Sequence, residues 1–161
     1  MGDDRTPAVD AFWRAYCEAS AVDPASRVDV YGFGDSPEMA DELAALVRTG
    51  PKRATAGLFE DHHPTTNPVP EPGVHSVIVD GRGEPVCVVR TTDVQVKPLR
   101  DADAAFAWDE GEGDRSLEYW VAAHRGFFAR AQAAQGRSFS DDDLVVYERF
   151  ELVWPPPSKP I

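Results

Sequence analysis

Residues 74–96 read VHSVIVDGRGEPVCVVRTTDVQV, two runs rich in β-branched residues on either side of Gly81-Arg82-Gly83. Valine, isoleucine and threonine suit a pleated strand, and glycine-bearing turn residues between two such runs are the mark of a β-hairpin. This hairpin decides the fold, because before it the chain patterns as two helices, turns and one short strand. A closing strand, LVVYERFELVW at 144–154, follows a long helix. Helices first, strands in the middle and a strand at the end predict an α+β domain. A small, curved, mostly antiparallel sheet or barrel with helices packed around it fits that order.

Upstream, Thr6-Pro7 opens a helix carrying Val9, Phe12, Trp13 and Tyr16 at helical spacing. Residues 22–37, VDPASRVDVYGFGDSP, hold two prolines and two glycines before the second helix and predict irregular structure. Ser36-Pro37-Glu38 then starts a second helix with Met39, Leu43, Leu46 and Val47 as its buried stripe, and Gly50-Pro51 stops it. ATAGLF at 54–59 predicts a short strand, and the proline-rich stretch 62–73 predicts a loop. A short helix is expected within DADAAFAW (101–108), and DEGEGDRS (109–116) is too glycine-rich and acidic for regular structure. The longest helix is expected from Ser116 to Gln135, capped by Asp114 or Ser116, with His124 on its apolar face as a satisfied core histidine. No repeat or linker divides the chain, so one domain over 1–154 with an N-terminal helical extension is expected. PPPSKPI at 155–161 is expected to form a flexible tail.

The 161 residues carry 16 Lys plus Arg against 28 Asp plus Glu, a net charge of −12. Long nucleic acids are held chiefly by phosphate contacts from cations, so this charge predicts a small or single-stranded ligand rather than a long structured polyanion. No apolar run is long enough to span a membrane, and the acidic N-terminus lacks a secretory h-region. Cys17 and Cys87 form no CxxC pair. A reduced, cytoplasmic setting is expected, without a membrane partner.

Against that acidity, GPKRAT at 50–55 places scarce cations on a bend. Gly50-Pro51 stiffens the chain, so Lys52 is positioned. A fully extended chain from Lys52 to Thr55 would send their side chains to opposite faces, whereas a turn at Lys52 would bring its amine near the Thr55 hydroxyl, where it could bind an anionic or carbonyl oxygen. The plainer alternative is a solvated cation at the end of the second helix. The acidic loop Asp109, Glu110, Glu112 and Asp114 needs a counter-charge that Lys52 could supply. Asp61-His62-His63 with His75 matches no zinc spacing, and no metal or other cofactor is expected. There is no GxSxG, Walker loop or GxGxxG.

GPKRAT matches the GxKxxT signature of the ASCH-domain family. EGEGDRSLEYWVAAHRGFF (110–128), VVYERFELV (145–153) and GRGEPVCVVRTTDV (81–94) resemble further segments of its bacterial branch, so that the resemblance covers roughly residues 36–154. It implies a PUA-like β-barrel with flanking helices and an RNA-related role: binding RNA, a nucleotide or a nucleoside in a cleft. It also implies hydrolysis, either as a ribonuclease or as an amidohydrolase acting on N4-acetylcytidine-type nucleosides. By motif position the resemblance assigns catalysis to Lys52, Thr55 and Glu112, and makes Ser116 a further candidate. Arg53 and Arg115 are expected as anion contacts. Gly57 departs from the family pattern, in which many members carry an arginine. A non-catalytic base-binding module and an acidic surface recruiting a basic protein are the competing readings.

Overall fold

The structure, a computed structural model, describes residues 5–156. Four helices and five strands follow one another among these residues: α1 (Pro7–Ser20), β1 (Val28–Tyr31), α2 (Pro37–Thr49), β2 (Ala54–Leu58), β3 (His75–Val79), β4 (Pro85–Pro98), α3 (Ala104–Glu110), α4 (Leu117–Ala133) and β5 (Leu144–Trp154). The strands form one mixed sheet in the order β1-β3-β4-β5-β2. The α+β class expected from the element pattern holds. No helix is long and apolar enough to cross a membrane among the described residues. The expected tail falls mostly outside them, at 157–161.

The expected helix starts hold at the caps. Thr6 and Ser36 accept hydrogen bonds from Val9 N and Met39 N, and each is followed by a proline whose missing N–H costs a first turn nothing. The hairpin holds as well, with β3 antiparallel to β4 from His75↔Arg90 to Ile78↔Cys87 and an irregularity at Val79.

The stretch 22–37 is the exception, because Val28–Tyr31 forms a strand where irregular structure was expected. It pairs parallel with β3, from Val28↔His75 to Tyr31↔Ile78. Four residues between Pro24 and Gly32 are too few to show a period against their flanks. Alternation nevertheless sends Val28 and Val30 to one apolar cluster and Tyr31 to another.

The chain forms two compact units, with β4 and β5 contributing to both. The first comprises the residues up to Gly50, Pro72–Thr92 and the chain from Phe150. It has two apolar clusters, one gathering Leu43, Val47, Ile78, Val89 and Phe150, the other Val9, Trp13, Tyr16, Val77 and Val88. The second unit, Pro51–Glu71 with Asp93–Arg149, is built around Ala54, Leu58, Phe106, Trp120, Phe128 and Tyr147. Its sheet element is β2 antiparallel to β5, in the register Ala54↔Arg149 to Leu58↔Val145. Every candidate catalytic residue lies in this second unit.

Candidate functional site

Two backbone segments of the second unit set the site. Arg53 N donates to the Asp109 carbonyl at 2.6 Å. Gly111 follows α3 in the left-handed region at φ 71°, and a Cβ there would come within 2.4 Å of the Pro51 carbonyl oxygen. Residues 51–53 and 109–111 therefore run against each other, and only glycine fits the crossing. The crossing delivers the side chain of Lys52 to the end of α3.

Helix α3 runs two residues further than composition implied. Asp103 caps it by accepting from Phe106 N, and the helix continues through Asp109 and Glu110 before Gly111 ends it. One helical turn separates Phe106 from Glu110, so the carboxyl follows the phenyl ring into the interior. Glu110 is 2% exposed and Lys52 1% exposed. Burial of this depth is costly for charged groups unless they are paired and hydrogen-bonded.

They are. Lys52 Nζ donates to the Ala54 carbonyl at 2.8 Å and to Glu112 Oε2 at 2.8 Å, and lies 3.4 Å from Glu110 Oε1. Glu110 also accepts from Trp120 Nε1 and lies 3.1 Å from His124 Nε2. His124 stacks on Trp120 with ring centroids 4.0 Å apart, and its Nδ1 lies 2.9 Å from the Trp120 carbonyl. The result is an ammonium, two carboxyls, an imidazole and an indole N–H in one hydrogen-bonded cluster. Its most open member is Glu112, whose side chain is 21% exposed, followed by His124 at 12%.

Environment separates the two carboxyls. Burial pushes Glu110 up, but the Lys52 ammonium and His124 outweigh it and hold the group below the usual carboxylate range. Burial also pushes Glu112 up. Lys52 opposes this, yet the charge of Glu110 and a hydrogen bond between the two carboxyls leave Glu112 raised. For His124, burial works against the charged form, but Glu110 outweighs it and raises the imidazole. Glu110 is thus the carboxyl held toward its anionic form and Glu112 the one whose proton affinity is raised.

The other sequence-predicted residues occupy distinct positions. Thr55 is half-buried on β2, directly opposite Glu148 of β5. Arg53 is exposed. Arg115 lies in the left-handed region at φ 64°; its Nε donates to the Trp108 carbonyl at 2.9 Å, and its guanidinium stacks 3.7 Å from the Trp108 ring centroid. Ser116 is the N-cap of α4, accepting from Tyr119 N, the role expected of Asp114 or Ser116. Lys52 and Glu112 are brought into contact, whereas Arg115 and Ser116 hold the intervening loop.

The sequence places two further members of the cluster without joining them. Glu110 is one of the four acids for which Lys52 is the expected counter-charge, and the pairing is found. His124 is the satisfied core histidine expected, and the buried Glu110 carboxylate is what satisfies it. A signal existed: Trp120 and His124, four apart on one helix face, both bring N–H groups into an apolar interior and so require a buried acceptor. Among the described residues, Glu110, Glu112 and His124 are also the group whose ligand atoms converge as a metal site would need, within 4.8 Å of one another. The Lys52 ammonium supplies the positive charge there, so a metal ion would have to displace it. His62 and His63 bond within their own loop, to Asn67 and Thr65, while His75 is buried against the Tyr16 hydroxyl at 2.9 Å.

Residues 29–154 match the family described as the ASCH domain. A solved ASCH domain from Lactobacillus crispatus JV V101 is similar over 89% of this chain and 92% of its own, at 29% identity and a TM-score of 0.81. A solved protein from Enterococcus faecalis V583 is similar over 91% and 92%, at 33% identity and a TM-score of 0.80. No curated protein matches the chain. The fold expected from the GxKxxT resemblance is the fold found, and the chain belongs to the ASCH-domain family.

Proposed function

We propose that this ASCH domain binds a nucleoside-sized ligand at the Lys52–Glu112 pair and hydrolyses an amide bond on it, as an amidohydrolase of N4-acylated cytidine type. The observation that carries the reading is the 2.8 Å contact between a fully buried ammonium and a partly exposed carboxyl whose proton affinity is raised. Paired titratable groups with displaced proton affinities are the usual machinery of acid–base chemistry.

Charge favours this reading over phosphodiester cleavage. The Lys52 ammonium is already offset by Glu110, so the cluster offers a phosphate little net attraction. The chain's charge of −12 repels a polyanion further. A neutral acylated nucleoside meets neither obstacle.

In this mechanism the Thr55 oxygen bonds to the acyl carbon and its proton passes to Glu112. The ammonium of Lys52 faces the developing oxyanion. Glu112 then returns the proton to the departing amine as the carbon–nitrogen bond breaks. Water hydrolyses the acyl ester on Thr55, releasing the acid and restoring the hydroxyl.

The test is to incubate the purified protein separately with N4-acetylcytidine and with short single-stranded RNA. Wild type is expected to release cytidine and acetate, and Lys52→Ala to lose at least about 100-fold in rate. Cleaved RNA with intact N4-acetylcytidine would replace the reading with a ribonuclease.

A further inference from the structure

Across β2 and β5, one face of the second unit carries the polar pair Thr55 and Glu148. Ala54 and Ala56 pack with the cluster of Phe106, Trp120 and Tyr147, and successive strand residues point to opposite sides. Thr55 and Gly57 therefore belong to the other side, together with their cross-strand partners Glu148 and Val146. Glu148 is a carboxyl only 6% exposed, held by the sheet register opposite the hydroxyl that the proposed mechanism uses. Directly opposed strand residues hold their Cβ atoms about 4.5–5.5 Å apart, within reach of one small polar group placed between their side chains.

Gly57 adds room. A Cβ built there would meet no atom within 4 Å, and its φ is outside the left-handed region, so the backbone does not require glycine. A strand residue with ordinary geometry and open space above it gains nothing for stability by lacking a side chain. Most residue types would raise strand propensity at this position.

We infer that Glu148 and the open space over Gly57 form the recognition subsite for the ligand's base, with the Glu148 carboxyl accepting from an exocyclic N–H. The chemistry selects a ligand with a hydrogen-bond donor, such as the amino group of cytosine, over one presenting a carbonyl at the same place. A carbonyl oxygen facing a carboxylate finds no donor and is left unsatisfied. Lys52 donates to the Ala54 carbonyl, in the peptide that joins Ala54 to Thr55 at the edge of this face. This inference rests on the nucleoside reading and extends it from the reacting bond to the base.

Calorimetric titration of the full chain with cytidine and with uridine tests it, using wild type, Gly57→Val, Glu148→Gln and Lys52→Ala, each checked for folding by its melting temperature. Wild type is expected to bind cytidine at least about tenfold more tightly than uridine, since a site built around one donor rejects a ligand lacking it. Gly57→Val is expected to keep or raise the melting temperature while weakening cytidine at least about tenfold, because the new side chain fills the subsite. Glu148→Gln is expected to erase the preference for cytidine. If Gly57→Val folds and binds as wild type does while Lys52→Ala does not bind, the subsite is wrong and the Lys52 reading stands. Wild type that binds neither nucleoside overturns both.

Discussion

Lys52 and Glu112 are 60 positions apart in the chain, yet the amine of one donates to the carboxyl of the other at 2.8 Å. The contact exists because residues 51–53 lie along residues 109–111, with Gly111 against the Pro51 carbonyl. Both partners sit over the buried carboxylate of Glu110. Removing Lys52 leaves the buried carboxylate of Glu110 without the ammonium that offsets it.

Lys52→Met should therefore destabilise the protein by about 3–5 kcal/mol, the usual cost of stranding one partner of a buried ion pair. Urea denaturation measures it. The double variant Lys52→Met/Glu110→Gln should recover part of the loss, since the stranded charge is then gone. A loss below about 1 kcal/mol would mean that the pair is solvated.

His124 should titrate above 6.5 by NMR, and Glu110→Gln should bring it down, because Glu110 is what outweighs the cost of its burial. Its folded-state proton affinity exceeds the unfolded one. Its contribution to stability is thus fully present below pH 6.5 and lost as pH rises through the folded value. An imidazole unaffected by Glu110→Gln would remove the link between the two groups.

His75 should act in the opposite sense. Burial, with help from Arg90, lowers its proton affinity, so the unfolded chain binds a proton first as the medium turns acidic. Stability should then fall with pH from about 6.5 downward. Replacement by glutamine, a neutral group able to keep a hydrogen bond to Tyr16, should flatten that segment of a stability–pH curve. An unchanged slope would show that His75 is not its source.

Gly111→Ala and Gly136→Ala make a matched pair, both at φ 71°. A side chain at 136 meets nothing, so that variant should lose only the backbone term of about 1–2 kcal/mol. At 111 the collision with Pro51 comes on top, and the loss should be clearly larger, with Glu112 displaced from Lys52. Equal melting temperatures would show that the crossing of the two segments is loose.

The local signals in the sequence were sufficient for the helix starts, the hairpin and the closing strand, since caps, prolines and β-branched runs act within a few residues of themselves. Strand β1 escaped because four residues carry too little pattern, and its partner β3 lies far along the chain. The lysine on its stiff bend and the acids before α4 were legible as an unbalanced charge problem. Which acid becomes the buried anion was not legible. That depends on α3 continuing through Glu110 and on two distant backbone segments crossing at a glycine. Burial, and hence the split in proton affinity between Glu110 and Glu112, is a property of what surrounds a side chain in space, and only the tertiary structure supplies it.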